Sequence, residues 1–318
     1  MNLKSARIGV LSMIRKLIFV FIFIGSFSFA QYERPGSTDA QFLKIGVSAR
    51  AAGMGGAYIA VVSGAEGAYY NPAALAKINR TDVAFTHSKW FAGINHEFTS
   101  VAQTFPQLGT FAISMTALYT DEMNVTTPLQ PDGTGETFYS GNYRFGISYA
   151  RNLTDQVSFG GTVNYINLDL YRGFTANAYS TDIGVLYVTQ FHDFRFGMKI
   201  ANFGTDLKFV NEAYPLPTNF TFGISINAFE IGDQKMLTSF SVVKPNDGKP
   251  LGKTGVEWNY RNIFFVRSGY RINHNVATYS AGAGIQVSIN DMNVKIDYSL
   301  SNFELLGEAL RFGLVLSF

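Results

Sequence analysis

Two-residue alternation constrains this chain more than any other feature. It is clearest in Leu310-Arg311-Phe312-Gly313-Leu314-Val315-Leu316-Ser317-Phe318. In an extended strand Leu310, Phe312, Leu314, Leu316 and Phe318 share one face. Arg311, Gly313 and Ser317 share the other, with Val315 the one apolar exception. A strand with one wholly apolar face suits a closed barrel bathed in lipid, where every backbone group is paired around the ring. Phe318, at the end of that strand, is expected to be an assembly signal read during membrane insertion.

The same pattern recurs upstream. Tyr143, Phe145, Ile147 and Tyr149 alternate with Arg144, Gly146 and Ser148, and Phe220, Phe222, Ile224 and Ile226 with Thr221, Gly223, Ser225 and Asn227. Val157, Phe159, Val163 and Tyr165 alternate with Ser158, Gly160, Thr162 and Asn164. Tyr279 to Ile289 repeats the scheme, and Met292, Val294, Ile296, Tyr298 and Leu300 alternate with Asn293, Lys295, Asp297 and Ser299. The small or polar set is expected to face the lumen, which makes Arg144, Lys295, Asp297 and Arg311 lumen-facing charges. On the lipid face a cation at mid-depth would cost roughly 2–4 kcal/mol. Glycines in the inward set leave room for close approach of other groups.

Short polar turns at 106–109, 152–155, 192–193, 232–233, 261–262 and 290–291 interleave with longer connections at 91–95, 120–137, 170–177, 204–216, 244–252, 272–276 and 301–308. Six turns and seven loops give fourteen strands between about Asp82 and Phe318. The expected fold is therefore all-β: a membrane-spanning antiparallel β-barrel of about 14 strands over 82–318. Both chain ends are expected on the short-turn, periplasmic side. Arginine at lipid-facing Ile296 is expected to destabilise more than arginine at Asp297.

The N-terminus agrees with export. Arg15 and Lys16 precede the apolar run Leu17–Ile24, and Ser28-Phe29-Ala30 supplies a small-x-small cleavage site, so residues 1–30 read as a signal peptide. Met13 is a plausible alternative start. The apolar run is too short for a comfortable span of about 20 residues, so the membrane must be crossed by strands. Removing residues 1–30 leaves 21 basic against 23 acidic side chains, which argues against nucleic acid as a partner. The chain has no cysteine, hence no disulfides and no lipoprotein anchor. Its 29 Phe and 17 Tyr suit strand surfaces and interfacial girdles. An exported soluble β-sandwich is the alternative that composition alone leaves open.

Residues 31–81 break the barrel pattern. They hold Arg50-Ala51-Ala52-Gly53-Met54-Gly55-Gly56-Ala57 and Tyr70-Asn71-Pro72-Ala73-Ala74-Leu75. Asn71 reads as a turn start and Pro72 as the first residue of a short helix through Lys77. A small-residue-rich segment attached at the periplasmic end is expected to fold into the lumen as a plug or hatch, its motif being Arg50, Gly53, Met54, Gly55, Gly56, Asn71 and Pro72. The alternative is that Gly53–Gly56 is only a packing kink. The spacing after Gly53 is wrong for a dinucleotide fingerprint.

These two runs, with Phe42-Leu43-Lys44-Ile45 before them, resemble the N-terminal pattern of the PorV/PorQ family, FadL-like outer-membrane barrels of the Bacteroidetes group. The resemblance covers about 35 residues, and the family's fourteen-stranded fold matches the strand count. It implies a non-catalytic component of a type IX protein secretion system, a cargo-binding or attachment factor. Its partners would be outer-membrane lipid and secretion-system proteins or the C-terminal domains of secreted cargo. Asn71-Pro72-Ala73 is also similar to the hatch element of FadL-type transporters, which implies the alternative function: outer-membrane transport of long-chain fatty acids or other hydrophobic small molecules.

Other chemistry is sparse. His87, His96, His192 and His274 lack ligand spacing, although His87 and His96 flank one hairpin loop and are candidates to approach each other. No metal or cofactor is expected. Ser88 and His87 are adjacent in a strand and point to opposite faces, a poor basis for a hydrolase. Trp90, Phe91, Tyr119, Tyr171 and Trp258, near strand ends, read as interfacial anchors.

Overall fold

A computed structural model describes residues 34–318 apart from Arg172 and Asn275. The signal-peptide expectation and the alternative start at Met13 therefore lie outside the described residues. Fourteen antiparallel strands close into one barrel in which each strand pairs with its neighbours in sequence. They are β1 Asp82–Lys89, β2 Ile94–Phe105, β3 Gly109–Thr120, β4 Gly141–Asn152, β5 Val157–Tyr171, β6 Phe174–Val188 and β7 Arg195–Gly204, followed by β8 Asn219–Ile231, β9 Gln234–Pro245, β10 Leu251–Tyr260, β11 Phe264–Ile272, β12 Tyr279–Ile289, β13 Met292–Asn302 and β14 Glu308–Ser317. Residues 82–89 and 251–260 are both strands. The ring closes where β1 pairs with β14, from Asp82 opposite Ser317 to Lys89 opposite Leu310.

The alternation sorts the faces as read. Phe145, Ile147, Phe159, Val163, Ile296 and Phe312 are on the outer surface, whereas Ser148, Ser158, Asn164, Asp297 and Arg311 are buried inside. Val315, the exception in the last strand, packs against buried residues of the N-terminal segment. At the tightest turns the paired left-handed residues His192 and Asp193, and Arg261 and Asn262, match the twist of the flanking strands. Two of the longer connections carry small hairpins, Met123–Asn124 with Thr137–Phe138 and Leu207–Lys208 with Ala213–Tyr214. The longer connection expected at 170–177 is instead short, because both strands extend through it until Tyr171 pairs with Phe174.

Residues 34–81 lie inside the ring. They form 3₁₀ turns at Gln41–Lys44, Gly64–Glu66 and Pro72–Lys77 and the short helices α1, Ala49–Gly53, and α2, Gly67–Tyr70. The two ends of the barrel share the short-turn rim, where Asp82 pairs with Ser317, but the first described residues do not lie there. Phe318 pairs its backbone with Thr81 at the short-turn side. Thr38 and Lys44 instead bond Asp247 in the long β9–β10 connection, and the Asp39 backbone bonds Pro215 in the β7–β8 connection. The segment thus starts among the long loops and descends through the barrel to β1. Sequence shows where the segment joins β1, but only packing shows where its other end is tethered.

Candidate functional site

The segment is seated by glycines on both sides of the contact. Gly55 and Gly56 adopt φ of +66° and +83°, a left-handed conformation that costs a side chain dearly. They press the Met54–Gly56 turn against β10 and β11, where a Cβ on Gly269 would fall 2.0 Å from the Gly55 nitrogen and one on Gly255 2.5 Å from the Met54 carbonyl oxygen. Gly53 meets the backbone of Gly282, and the Gly55 N–H donates to Ser280 Oγ at 3.0 Å. On the opposite wall Pro72 sits against Gly160 and Asn71 against Gly184. Asn71 caps the Pro72–Lys77 turn by accepting from the Ala73 N–H, and its Nδ2 donates to the carbonyls of Ile59 and Val185 at 3.2 and 3.1 Å. Gly53–Gly56 is therefore a fitted contact with the wall as well as a kink.

Two cavities flank this floor. The lower one, about 670 Å³, reaches the short-turn rim and is polar. Arg50 grips Glu257 there with two bonds of 2.8 and 2.7 Å, and Arg267 joins Glu257 at 2.5 Å and Asp297 at 2.7 Å. Lys295 lies over the Phe265 ring with its Nζ 4.3 Å from the centroid. Tyr58, beneath the Arg50 guanidinium, donates to Glu66, whose carboxyl is pushed above its usual range by burial.

The upper cavity, about 340 Å³, lies on the long-loop side and is mostly apolar. Leu43, Ile45, Ile59, Trp90, Leu251 and Phe303 supply apolar wall, and Arg144, Lys199, Lys253, Arg271 and Arg311 supply charge. Arg144 and Lys199 share the buried carboxylate of Asp182 at 2.8 and 3.1 Å, and both lie over the Tyr69 ring. Asp182 is fixed by a bulge: the β6–β7 register shifts between Thr181 and Ile183, and Asn202, at φ +58°, donates its N–H to Asp182 Oδ1 at 2.8 Å. Arg271 donates from Nε to the Gly55 carbonyl and Arg311 lies over Trp90. His274, in the loop above, is held down to about 4 by burial and by Arg271 and Lys253, so it is neutral at pH 7.

The residues singled out from sequence thus divide into groups. Arg50, Lys295 and Asp297 meet around the lower cavity, and Arg144 and Arg311 line the upper one. Gly53, Met54, Gly55 and Gly56, with Asn71 and Pro72 opposite, form the seat between the two. Phe318 stands apart at the rim. Two readings need correction. His87 and His96 do not approach: His87 pairs with Glu97 on the outer face at 2.6 Å, while His96 is buried inside opposite Ser88. Trp90 is not an interfacial anchor, because it keeps the inward parity of Ser88 and packs on Phe91 and Phe303 beside the cavity. Lys253, Glu257, Arg267 and Arg271 were missed, although Lys253-Thr254-Gly255-Val256-Glu257 and Arg267-Ser268-Gly269-Tyr270-Arg271 carry the inward set at every second position.

The described chain is a closed fourteen-stranded barrel of the outer-membrane kind, with Arg144, Asp182, Arg267, Asp297 and Arg311 buried inside it. Solved structures share that fold. The chain is similar to the Ralstonia pickettii toluene transporter TbuX (15% identity, TM-score 0.53) and the Pseudomonas putida toluene transporter TodX (12%, 0.56), each match covering 86% of this chain and 97% of the other. A Pseudomonas aeruginosa FadL homologue matches at 11% identity and a TM-score of 0.51, covering 85% of this chain and 97% of that one. At such identities the likeness concerns the fold, which is FadL-like. No protein-family model matches the sequence, and no curated protein matches it either.

Proposed function

We propose that this protein is an integral outer-membrane transporter that passes hydrophobic or amphipathic small molecules through its lumen, with residues 34–81 as the hatch. The observation that carries this reading is the mostly apolar cavity on the long-loop side, floored by Ala52, Gly56 and Ile59. The second, polar cavity begins at Arg50 and Tyr58 on the same short segment. A molecule moving between them has one thin partition to pass. The fold shared with the two toluene transporters supports the same reading. The role is non-catalytic, and the apolar outer belt suits a bacterial outer membrane.

The direct test is flux. Proteoliposomes carrying the purified barrel are expected to take up a neutral hydrophobic fluorophore faster than empty vesicles, and equal rates would remove the proposal. A secretion-associated role rests on the resemblance of Arg50–Ala57 and Tyr70–Leu75 to the PorV/PorQ pattern. Affinity capture from solubilised outer membranes addresses it: recovery of translocon or attachment proteins favours it, and recovery of lipid alone counts against it.

A further inference from the structure

The upper cavity is more basic than a neutral or singly charged ligand needs. Six basic side chains line it: Lys44, Arg144, Lys199, Lys253, Arg271 and Arg311. Two carboxylates answer three of them, Asp247 for Lys44 and Asp182 for Arg144 and Lys199, which leaves four positive charges over. Among the described residues none of Lys253, Arg271 and Arg311 meets a carboxylate, and no acidic side chain lines the cavity. The Nε atoms of Arg144 and Arg311 are buried and have no hydrogen-bond partner. Cations withdrawn from water without a counter-charge are costly, so the pocket stands to gain most from a multiply charged anion.

We infer that the cavity binds an amphipathic molecule whose head is a phosphate monoester, received by Lys253, Arg271 and Arg311, with its hydrocarbon tail against Leu43, Ile45, Ile59 and Leu251. This rests on the transport reading and names the substrate class for that site. A carboxylate would neutralise one of the four charges. A phosphate monoester brings about 1.5 to 2 at neutral pH together with three acceptor oxygens, which suit the forked donors of two arginines. The apolar wall selects for the tail. A volume of about 340 Å³ is at the small end for ligand pockets, which limits the occupant to a small or medium-chain molecule.

Trp90 lines the cavity, and the chain has only one other tryptophan, Trp258, so a W258F protein reports on the site by its fluorescence. That protein, held in a maltoside detergent, is titrated with dodecyl phosphate, dodecanoate, dodecanol and inorganic phosphate. Dodecyl phosphate is expected to bind roughly tenfold or more tightly than each of the others, with the advantage shrinking below the ligand's second ionisation near about pH 6. K253M/R271M is expected to lose that advantage, so that dodecyl phosphate and dodecanol bind it about equally. The unheated, folded band of both variants on an SDS gel guards against misfolding.

Equal binding of dodecyl phosphate and dodecanol, or an unchanged preference in K253M/R271M, would overturn the head-group assignment while the transport reading survives on flux. Equal binding of inorganic phosphate would overturn the tail and leave a free oxyanion site. Tight dodecyl phosphate binding without flux of any probe would instead defeat the transport reading alone.

Discussion

At the scale of single residues, the inward glycines decide how closely the N-terminal segment fits. Gly269 has the Gly55 backbone where its Cβ would be, so Gly269→Ala forces the Met54–Gly56 turn off the wall. Overpacking of this kind costs about 1–3 kcal/mol. The expected outcome is a lower unfolding temperature with normal membrane levels; an unchanged temperature would mean that the seat yields freely. Ile296 faces outward at mid-strand, so Ile296→Arg is expected to lose roughly 2–4 kcal/mol in detergent or lipid unfolding. Asp297→Arg is not a benign control for it, because Asp297 already answers Arg267.

Glu66 gives a residue-level pH dependence. Burial raises its folded-state pKa above the ordinary value, so its contribution to stability is full below the unfolded carboxylate pKa and is lost as pH rises through the folded value. E66Q is therefore expected to gain on the wild type as pH rises from acid to neutral, which parallel melts at both pH values would show. Identical pH profiles for the two proteins would mean that the carboxyl ionises without cost.

At the scale of elements, Asp247 in the β9–β10 connection ties the first described part of the N-terminal segment to the loops. It accepts from Thr38 at 2.5 Å, Lys44 at 2.6 Å and Gln41 at 3.3 Å. Burial works against its charge, yet those three donors hold its carboxyl below the usual range. Asp247→Asn is expected to expose the Arg34–Lys44 stretch to external protease while the barrel's own melt stays put, because the strands do not depend on that tether. Protection equal to the wild type would place the anchorage elsewhere, at the Asp39–Pro215 backbone bond or at the Tyr69 hydroxyl, which lies 2.9 and 2.7 Å from the Leu43 and Ile45 carbonyls.

The elements also show what a strand pattern conveys. Fourteen strands and their turns were legible because the lipid face admits only apolar side chains and the inner face prefers small or polar ones. Asn71 and Pro72 announced their 3₁₀ turn through local capping chemistry alone. The bulge at Asp182 was invisible, since an extra residue in one strand leaves no mark until its partner is known. His87 and His96 were misjudged for a related reason: their separation in sequence does not reveal that the hairpin puts Glu97, not His96, opposite His87.

At the scale of the whole molecule, closure depends on the pairing of β1 with β14, where Phe318 bonds Thr81 in both directions beside the last registered pair. Phe318→Glu is expected to lower the amount of folded, heat-modifiable protein in outer-membrane fractions several-fold. Wild-type levels would mean that the terminal aromatic carries no assembly information.

The division between sequence and structure follows from the range of the forces involved. Alternation is set residue by residue by hydrocarbon outside and water or protein inside, so strand count, the two faces and the position of Arg144, Lys295, Asp297 and Arg311 on the inner one followed from the sequence alone. The site did not. Arg50 meets Glu257 across more than two hundred residues, and Lys253, Arg271 and Arg311 come together only because three separate strands wrap one short segment. A burial pattern tells each side chain which way to face; only closure of the ring tells it what it faces.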